Sequence, residues 1–278
     1  MTTNSVHTNA AAAIALQNLS RTNDNLTGVQ NRISTGLKVQ GAKDNAAIWA
    51  IAQGQRADLG ALSAVKQSLD RATSIADVAM AAGESISDLL NQLKEKVVAA
   101  KDVSLKTQSR ELLDADFKAL LRAIGSAVDN ASFDGGNILN GSLTNGLRFL
   151  ANAGATQFVT LSGKDLSLSG SIISLSLTDS LLTETGSSQA LTRLDASIIS
   201  LNKSLGDIGA QAKQISSHNT FVSKLSDTIE SGIGNLVDAD LAKESARLQA
   251  LQVQQQLGAQ ALSIANQAPQ IILSLFQG

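Results

Sequence analysis

The sequence predicts a mainly α chain: a long antiparallel helical bundle or coiled coil formed by the N- and C-terminal segments, with a small β- and turn-rich middle. Three observations predict it. Apolar residues recur at heptad spacing in three separate segments. The 278 residues include a single Pro, the strongest helix breaker, and only 3% aromatics, so Leu, Ile, Val and Ala must build the core. The stretch 140–188 has no heptads and is rich in Gly, Ser, Thr and Asn.

The N-terminal segment carries one apolar stripe, with Leu19, Leu26, Val29 and Ile33 on one side of a helix. From Ser34 to Asp44 there are two glycines and no helical period, which marks a linker, and Asp44 is placed to cap the next helix. The first heptad segment follows. Steps of seven from Leu62 give Leu69, Ala76, Gly83, Leu90 and Val97, and steps from Val65 give Ala72, Ala79, Ile86, Leu93 and Ala100. Only Gly83 among these twelve is not apolar. A strict seven-residue repeat of this length implies a left-handed supercoil. The second seam reads Leu113, Phe117, Leu120, Ile124, Ala127 and Ala131.

In the middle, Leu147 to Leu150 and Phe158 to Leu161 are short apolar runs among turn residues, expected as strands. This stretch is expected on the surface, with Gly163 and Gly186 as points that tolerate an inserted epitope. The third seam runs from Leu191 to Leu236 through Leu194, Ile198, Leu201, Leu205, Ile208, Ala212 and Ile215, with Asn219 and Ser226 as its two polar members. These two either set the register or face the bundle edge. A helix of this length spans roughly 70 Å.

The C-terminal segment differs. Val237, Leu241, Leu248, Leu251 and Leu262 share one face, while Val253, Leu257 and Ile264 lie nearly opposite. Two apolar stripes need two partners. The N-terminal helix supplies one, and the other must come from another molecule. A band of glutamines, Gln249, Gln252, Gln254, Gln255, Gln256 and Gln260, lies between them. At the end, Ile271, Ile272, Leu275 and Phe276 form an apolar cluster. The organisation expected is therefore 1–40 pairing with 237–278, 41–139 pairing with 189–236, and 140–188 exposed. The contact residues expected are Leu19, Leu26, Val29, Ile33, Leu248, Leu251, Val253, Leu257, Leu262, Ile264, Ile271 and Leu275.

Several function classes are excluded. A net charge of −2 gives no electrostatic footprint for nucleic acid or an anionic membrane. No Cys means no disulfide, thiol nucleophile or thiolate metal site. No apolar run approaches the ~18 residues that span a bilayer. Met1 to Ala13 has neither the basic nor the long apolar region of a cleaved signal peptide. His7 and His218 stand alone, without carboxylates at ligand spacing. No catalytic constellation is present, so neither enzyme activity nor a cofactor or metal is expected.

Both ends resemble the bacterial flagellins. Asn18-Leu19-Ser20-Arg21-Thr22, Arg32-Ile33-Ser34-Thr35-Gly36-Leu37-Lys38-Val39 and Ala42-Lys43-Asp44-Asn45-Ala46-Ala47 are similar to the family's N-terminal signature. Phe133-Asp134-Gly135 is similar to its Phe-Asn-Gly turn. Asp238-Ala239-Asp240, Glu244-Ser245-Ala246 and Ala261-Leu262-Ser263-Ile264-Ala265-Asn266-Gln267-Ala268-Pro269-Gln270 are similar to its C-terminal motifs. The resemblance implies a subunit that polymerises, alone or with other flagellins, into the hollow filament used for motility. The terminal helices would form the inner tube and the heptad helices an outer tube. It implies an extracellular filament, export without a cleaved signal, and the flagellar type III export machinery, an export chaperone and a filament cap as partners. The short middle implies that the large outer domains of longer members are missing.

Two alternatives accompany this reading. A hook–filament junction protein shares both terminal patterns. A helical signalling module, such as a chemoreceptor hairpin, shares the heptads but has no polar middle and does not polymerise. Trp49 is either an anchor between subunits or part of the bundle's own core.

Overall fold

The computed structural model describes residues 8–275, and their side chains as far as Gln267. The described elements are α1 (Ala10–Thr35), α2 (Ala46–Ala100), α3 (Thr107–Asn130), β1 (Leu147–Leu150), β2 (Phe158–Leu161), α4 (Glu184–Val237) and α5 (Leu241–Leu275). The chain is mainly α, as its heptads and lone Pro predict. It divides into two compact units, residues 58–228 and residues 1–57 with 229–278. The helices α2 and α4 contribute to both.

In the unit of residues 58–228, every one of the twelve heptad positions of α2 is buried, Gly83 included. The apparent exception has a steric cause. A Cβ at Gly83 would lie 2.2 Å from Cδ2 of Leu205 on α4, so the missing side chain is the hole that this Leu fills. The two helices are antiparallel, as Asp70–Asn219 at 2.6 Å and Lys94–Asp195 at 2.7 Å show.

The seam of α3 is rotated by about one residue from the apolar reading. Its buried line is Arg110, Asp114, Phe117, Leu121, Ile124 and Val128, with Leu113, Leu120 and Ala127 on the flank. Two charged residues hold seam positions because each has a backbone partner. Arg110 donates to the carbonyls of Ala100 at 2.5 Å and Asp102 at 2.6 Å, closing the C-terminal end of α2. Asp114 accepts from Leu181 N–H at 2.7 Å and pairs with Lys118 at 2.8 Å. Burial works to raise the Asp114 pKa, but Lys118 and the Leu181 N–H more than offset it and hold the carboxyl below its ordinary range.

On α4, Leu194, Leu201, Ile208, Ile215 and Val222 are buried as the seam predicts. The buried strip is wider than that seam and takes in Ala190, Ser197 and Ser204. The middle segment covers this flank, with Ser174 N–H donating to Ser197 Oγ at 3.2 Å. Asn219 and Ser226 are half-buried. Asn219 bonds Asp70, and Ser226 bonds the Val222 carbonyl at 3.0 Å, which places both at the edge.

The middle forms the two expected strands, paired antiparallel with Leu147 opposite Leu161 and Leu150 opposite Phe158. Phe133, Asp134, Gly135 and Gly136 close a reciprocal turn, with positive φ at Asp134 (49°) and Gly135 (76°). The segment is not loose surface. Ile138, Leu139, Leu161, Leu166, Ile173, Leu175 and Leu181 are buried. Backbone and side chains tie it to α2 and α4 through Leu150 to Ser68, Ser162 to Gln211 and His218 to the Ala151 carbonyl. The helix α4 also begins earlier than the composition suggested, at Glu184.

This moves the tolerant insertion point. A Cβ at Gly163 would lie 2.0 Å from the Leu143 carbonyl oxygen, and one at Gly186, inside the first turn of α4, 2.3 Å from that of Ser180. Neither position has room. The β1–β2 turn does: Gly154, Ala155 and Thr156 are exposed, and nothing lies within 3.5 Å of a Cβ at Gly154. A short epitope between Gly154 and Ala155 is expected to leave the thermal melt within a few degrees of the parent. The same insert after Gly163 is expected to lower it clearly. Circular dichroism melts of the two variants check this, and equal melting points would contradict it.

In the other unit, α1 ends at Gly36 in the left-handed conformation (φ 72°), whose N–H bonds the Arg32 carbonyl at 2.9 Å. The linker then pairs with the chain entering α5. Lys38 N–H donates to the Val237 carbonyl at 2.8 Å, and Ala239 N–H to that of Gly36 at 2.8 Å. Asn45, not Asp44, caps α2, accepting from Ile48 N–H at 3.0 Å. The Asp44 carboxylate instead turns back to accept from Gln40 and Gly41 N–H at 2.9 and 3.2 Å. Val39, Ala52, Ile233 and Val237 form a small core, and Trp49 packs against it with Leu37, Ile48, Ile229 and Leu236.

Candidate assembly surface

The helices α1 and α5 pack antiparallel as a two-stranded seam. The ties are Asn9 Nδ2 to the Ala265 carbonyl at 2.7 Å, Gln255 Nε2 to Asn23 Oδ1 at 2.8 Å and Arg32 to Glu244 at 3.5 Å. Along α1 the line Ala12, Ala15, Leu19, Thr22, Leu26, Val29 and Ile33 loses exposure in alternating steps of three and four, with Gly28 and Arg32 half-buried on its flank. The line on α5 is Glu244, Leu248, Leu251, Gln255, Gly258, Leu262 and Ala265, in the same alternation. This is the seven-residue spacing of a coiled coil.

Leu19, Leu26, Val29 and Ile33 all lie on this seam, as do Leu248, Leu251 and Leu262. Apolar pattern alone misses its polar and small members, above all Glu244, Gln255 and Gly258. The signal that finds them is the three–four step itself, followed without regard to residue type. Gly258 serves packing, since a Cβ there would lie 3.3 Å from Leu19 Cδ1. Leu241, expected on the same face, is exposed, and Val237 belongs to α4 and the small core instead.

The seam is thin. Val29 is the one residue of α1 that is fully buried. The opposite face of α5 has no cover: Val253 is 55%, Leu257 58% and Ile264 69% exposed. Ile14 and Leu16 on α1 are exposed as well. Bare apolar side chains on one face of a helix whose other face is packed make this the candidate assembly surface. The side chains of Ile271 and Leu275 lie outside the described residues, as does His7.

Among the described residues no group of three or more His, Asp or Glu is placed to hold a metal ion. His218 bonds the Ala151 carbonyl at 2.7 Å, and its ring lies 5.9 Å from that of Phe221. No described helix is long and apolar enough to cross a membrane.

Comparison with known proteins gives two family matches. The profile described as "Bacterial flagellin N-terminal helical region" matches residues 6–144, and "Bacterial flagellin C-terminal helical region" matches residues 191–276. The chain is 54% identical over 276 residues to "Flagellin FljJ" of Caulobacter vibrioides, covering 99% of both chains. It is 41% identical over 283 residues to a flagellin of Brucella melitensis, again with 99% of each covered. It is 33% identical over 322 residues to "Flagellin C" of Rhizobium meliloti, covering 98% of this chain and 99% of that one. Among solved structures, the crystal structure of Bacillus cereus flagellin matches with a TM-score of 0.48 and 20% identity, over 56% of this chain and 88% of that chain.

Proposed function

Because this chain belongs to the bacterial flagellins and is a structural subunit of the extracellular flagellar filament, we propose that its α1–α5 hairpin is the element through which subunits join. One observation carries the reading: α5 packs one apolar stripe on α1 and leaves Val253, Leu257 and Ile264 bare. A second face on a helix whose first face is already covered requires a second molecule. In a filament each subunit meets identical neighbours, so that molecule is another copy of the chain or a related flagellin. The matches to flagellins span the whole chain, and no observation favours the junction protein or the signalling module.

On this reading the hairpin forms the inner tube and the α2–α3–α4 bundle the surrounding layer. The chain acts mechanically, as a stiff hollow rod, and carries out no catalysis. Family membership supports passage through the flagellar type III export machinery, an export chaperone and a filament cap as further partners, with export independent of a cleaved signal.

The thin seam implies that the hairpin of an isolated subunit opens far more readily than the bundle. Limited proteolysis of the monomer is expected to cut within α1 and α5, removing roughly the first ~40 and last ~40 residues while sparing residues 58–228. In filaments the same sites are expected to resist. Equal resistance of hairpin and bundle in the monomer would contradict a hairpin that is completed by assembly.

A further inference from the structure

Asn-Gly occurs twice in the chain, at Asn140-Gly141 and Asn145-Gly146. Asn is a thermolabile residue, and a following Gly has no Cβ to screen its nitrogen. That nitrogen can attack the Asn side chain. The bond from nitrogen to Cγ forms, the bond from Cγ to the amide NH2 breaks, ammonia leaves and a cyclic imide remains. Water then opens the ring on either side. Opening at Cγ leaves Asp. Opening at the backbone carbonyl leaves isoaspartate, whose main chain runs through Cβ and Cγ and is lengthened by a carbon.

The fold holds the two sites differently. Asn140 is half-buried, and its Oδ1 accepts from Ser142 N–H at 3.0 Å and Ser142 Oγ at 2.6 Å. It follows the buried Leu139 and stands opposite Asp165 in an isolated bridge. A Cβ at Gly141 would lie 2.9 Å from the Asp165 carboxyl carbon. A carboxylate that close opposes loss of the Gly141 amide proton, which the attack requires. Asn145 is exposed, and its side chain bonds no described residue. Gly146 N–H closes a turn onto the Leu143 carbonyl at 2.9 Å, and only local opening of that turn is needed to release the nitrogen.

We propose that Asn145-Gly146 is a self-modification site, converting with water alone to Asp and isoaspartate, while the fold protects Asn140-Gly141. The consequence falls on the hairpin. Gly146 directly precedes β1 in the left-handed conformation (φ 70°). A Cβ there would lie 2.3 Å from the Leu161 carbonyl oxygen and 2.9 Å from Ser162 Cα. The lengthened main chain has no slack at this point, so the pairing of Leu147 with Leu161 loosens. Each converted subunit also gains a negative charge beyond its formal −2.

The test ages the purified full-length subunit in warm, mildly alkaline buffer and follows its tryptic peptides by tandem mass spectrometry. Both sites fall between Arg122 and Arg148, so one peptide compares them directly. Conversion at Asn145 is expected to be at least about tenfold faster than at Asn140, the worth of the hydrogen bonds that hold Asn140. In denaturant the two are expected to convert alike. Equal rates in the folded subunit, or a preference that persists in denaturant, would overturn the assignment to the fold. Asn145→Gln, whose longer side chain closes the ring poorly, is expected to abolish most of the charge gained on ageing, as read by isoelectric focusing. An undiminished gain in that variant would overturn Asn145 as the site. The loosening has its own readout. Asn145→Asp adds the charge without the extra carbon and is expected to melt with the parent, whereas the isoaspartate fraction is expected to melt a few degrees lower. An isoaspartate fraction that melts with the parent would overturn the effect on the hairpin.

Discussion

Leu257→Asp is expected to stop polymerisation while leaving the monomer's thermal melt unchanged. The side chain is 58% exposed on the face of α5 turned away from α1, so an Asp there stays in water in the monomer and breaks no contact. In the proposed assembly that face becomes covered. Each subunit then forgoes burial of a Leu, ~1.5–3 kcal/mol, and must also desolvate a carboxylate without a partner. At about 1.4 kcal/mol per tenfold, the critical concentration is expected to rise by at least about a hundredfold. Seeded polymerisation followed by sedimentation measures it. A variant that polymerises at the parent's concentration would remove Leu257 from the contact. A variant whose monomer melts much earlier would place it in the subunit's own core.

The opposite pattern is expected for Leu201→Asp. Leu201 is fully buried on α4, in the heart of the unit of residues 58–228. Truncating such a Leu to Ala costs ~2–5 kcal/mol, and a buried unpaired charge adds to that. At roughly 2–4 °C per kcal/mol for a unit of this size, the monomer melt is expected to fall by about 10 °C or more, if the protein folds at all. Here the defect precedes assembly, so circular dichroism of the monomer detects it without any polymerisation assay. A melt within a few degrees of the parent would mean that Leu201 does not hold the bundle together.

The contrast between these two leucines was legible in the sequence because helical period separates stripes by face. All twelve α2 positions fall where a period of seven puts them, and on α5 so do Leu248, Leu251 and Leu262 on the packed side and Val253, Leu257 and Ile264 on the bare one, whereas Leu241 is exposed and Val237 lies in the small core of α4. What the pattern missed was polar. Arg110 and Asp114 occupy the α3 seam because backbone groups of the α2 end and of Leu181 satisfy them, and nothing in hydrophobic spacing signals such partners. Glu244 entered the α1–α5 seam unnoticed for the same reason. The cap of α2 shifted from Asp44 to Asn45 because the Asp44 carboxylate is used by Gln40 and Gly41. The middle was read from composition as surface, and its short apolar runs were too brief to reveal that one side of it is buried. Composition reports the exposed turns well. It cannot report which isolated Leu or Ile finds a groove between long helices.

The central claim is that one face of α5 is bare in the subunit and covered in the filament. With no native Cys, Leu257→Cys places a unique thiol on that face. The most direct measurement is its rate of reaction with a small maleimide, in monomer and in filaments doped with the variant at low ratio. Fast labelling of the monomer and protection by at least about tenfold in the filament is the predicted result. Equal labelling in both states would show that the face stays in water after assembly, and would contradict the account.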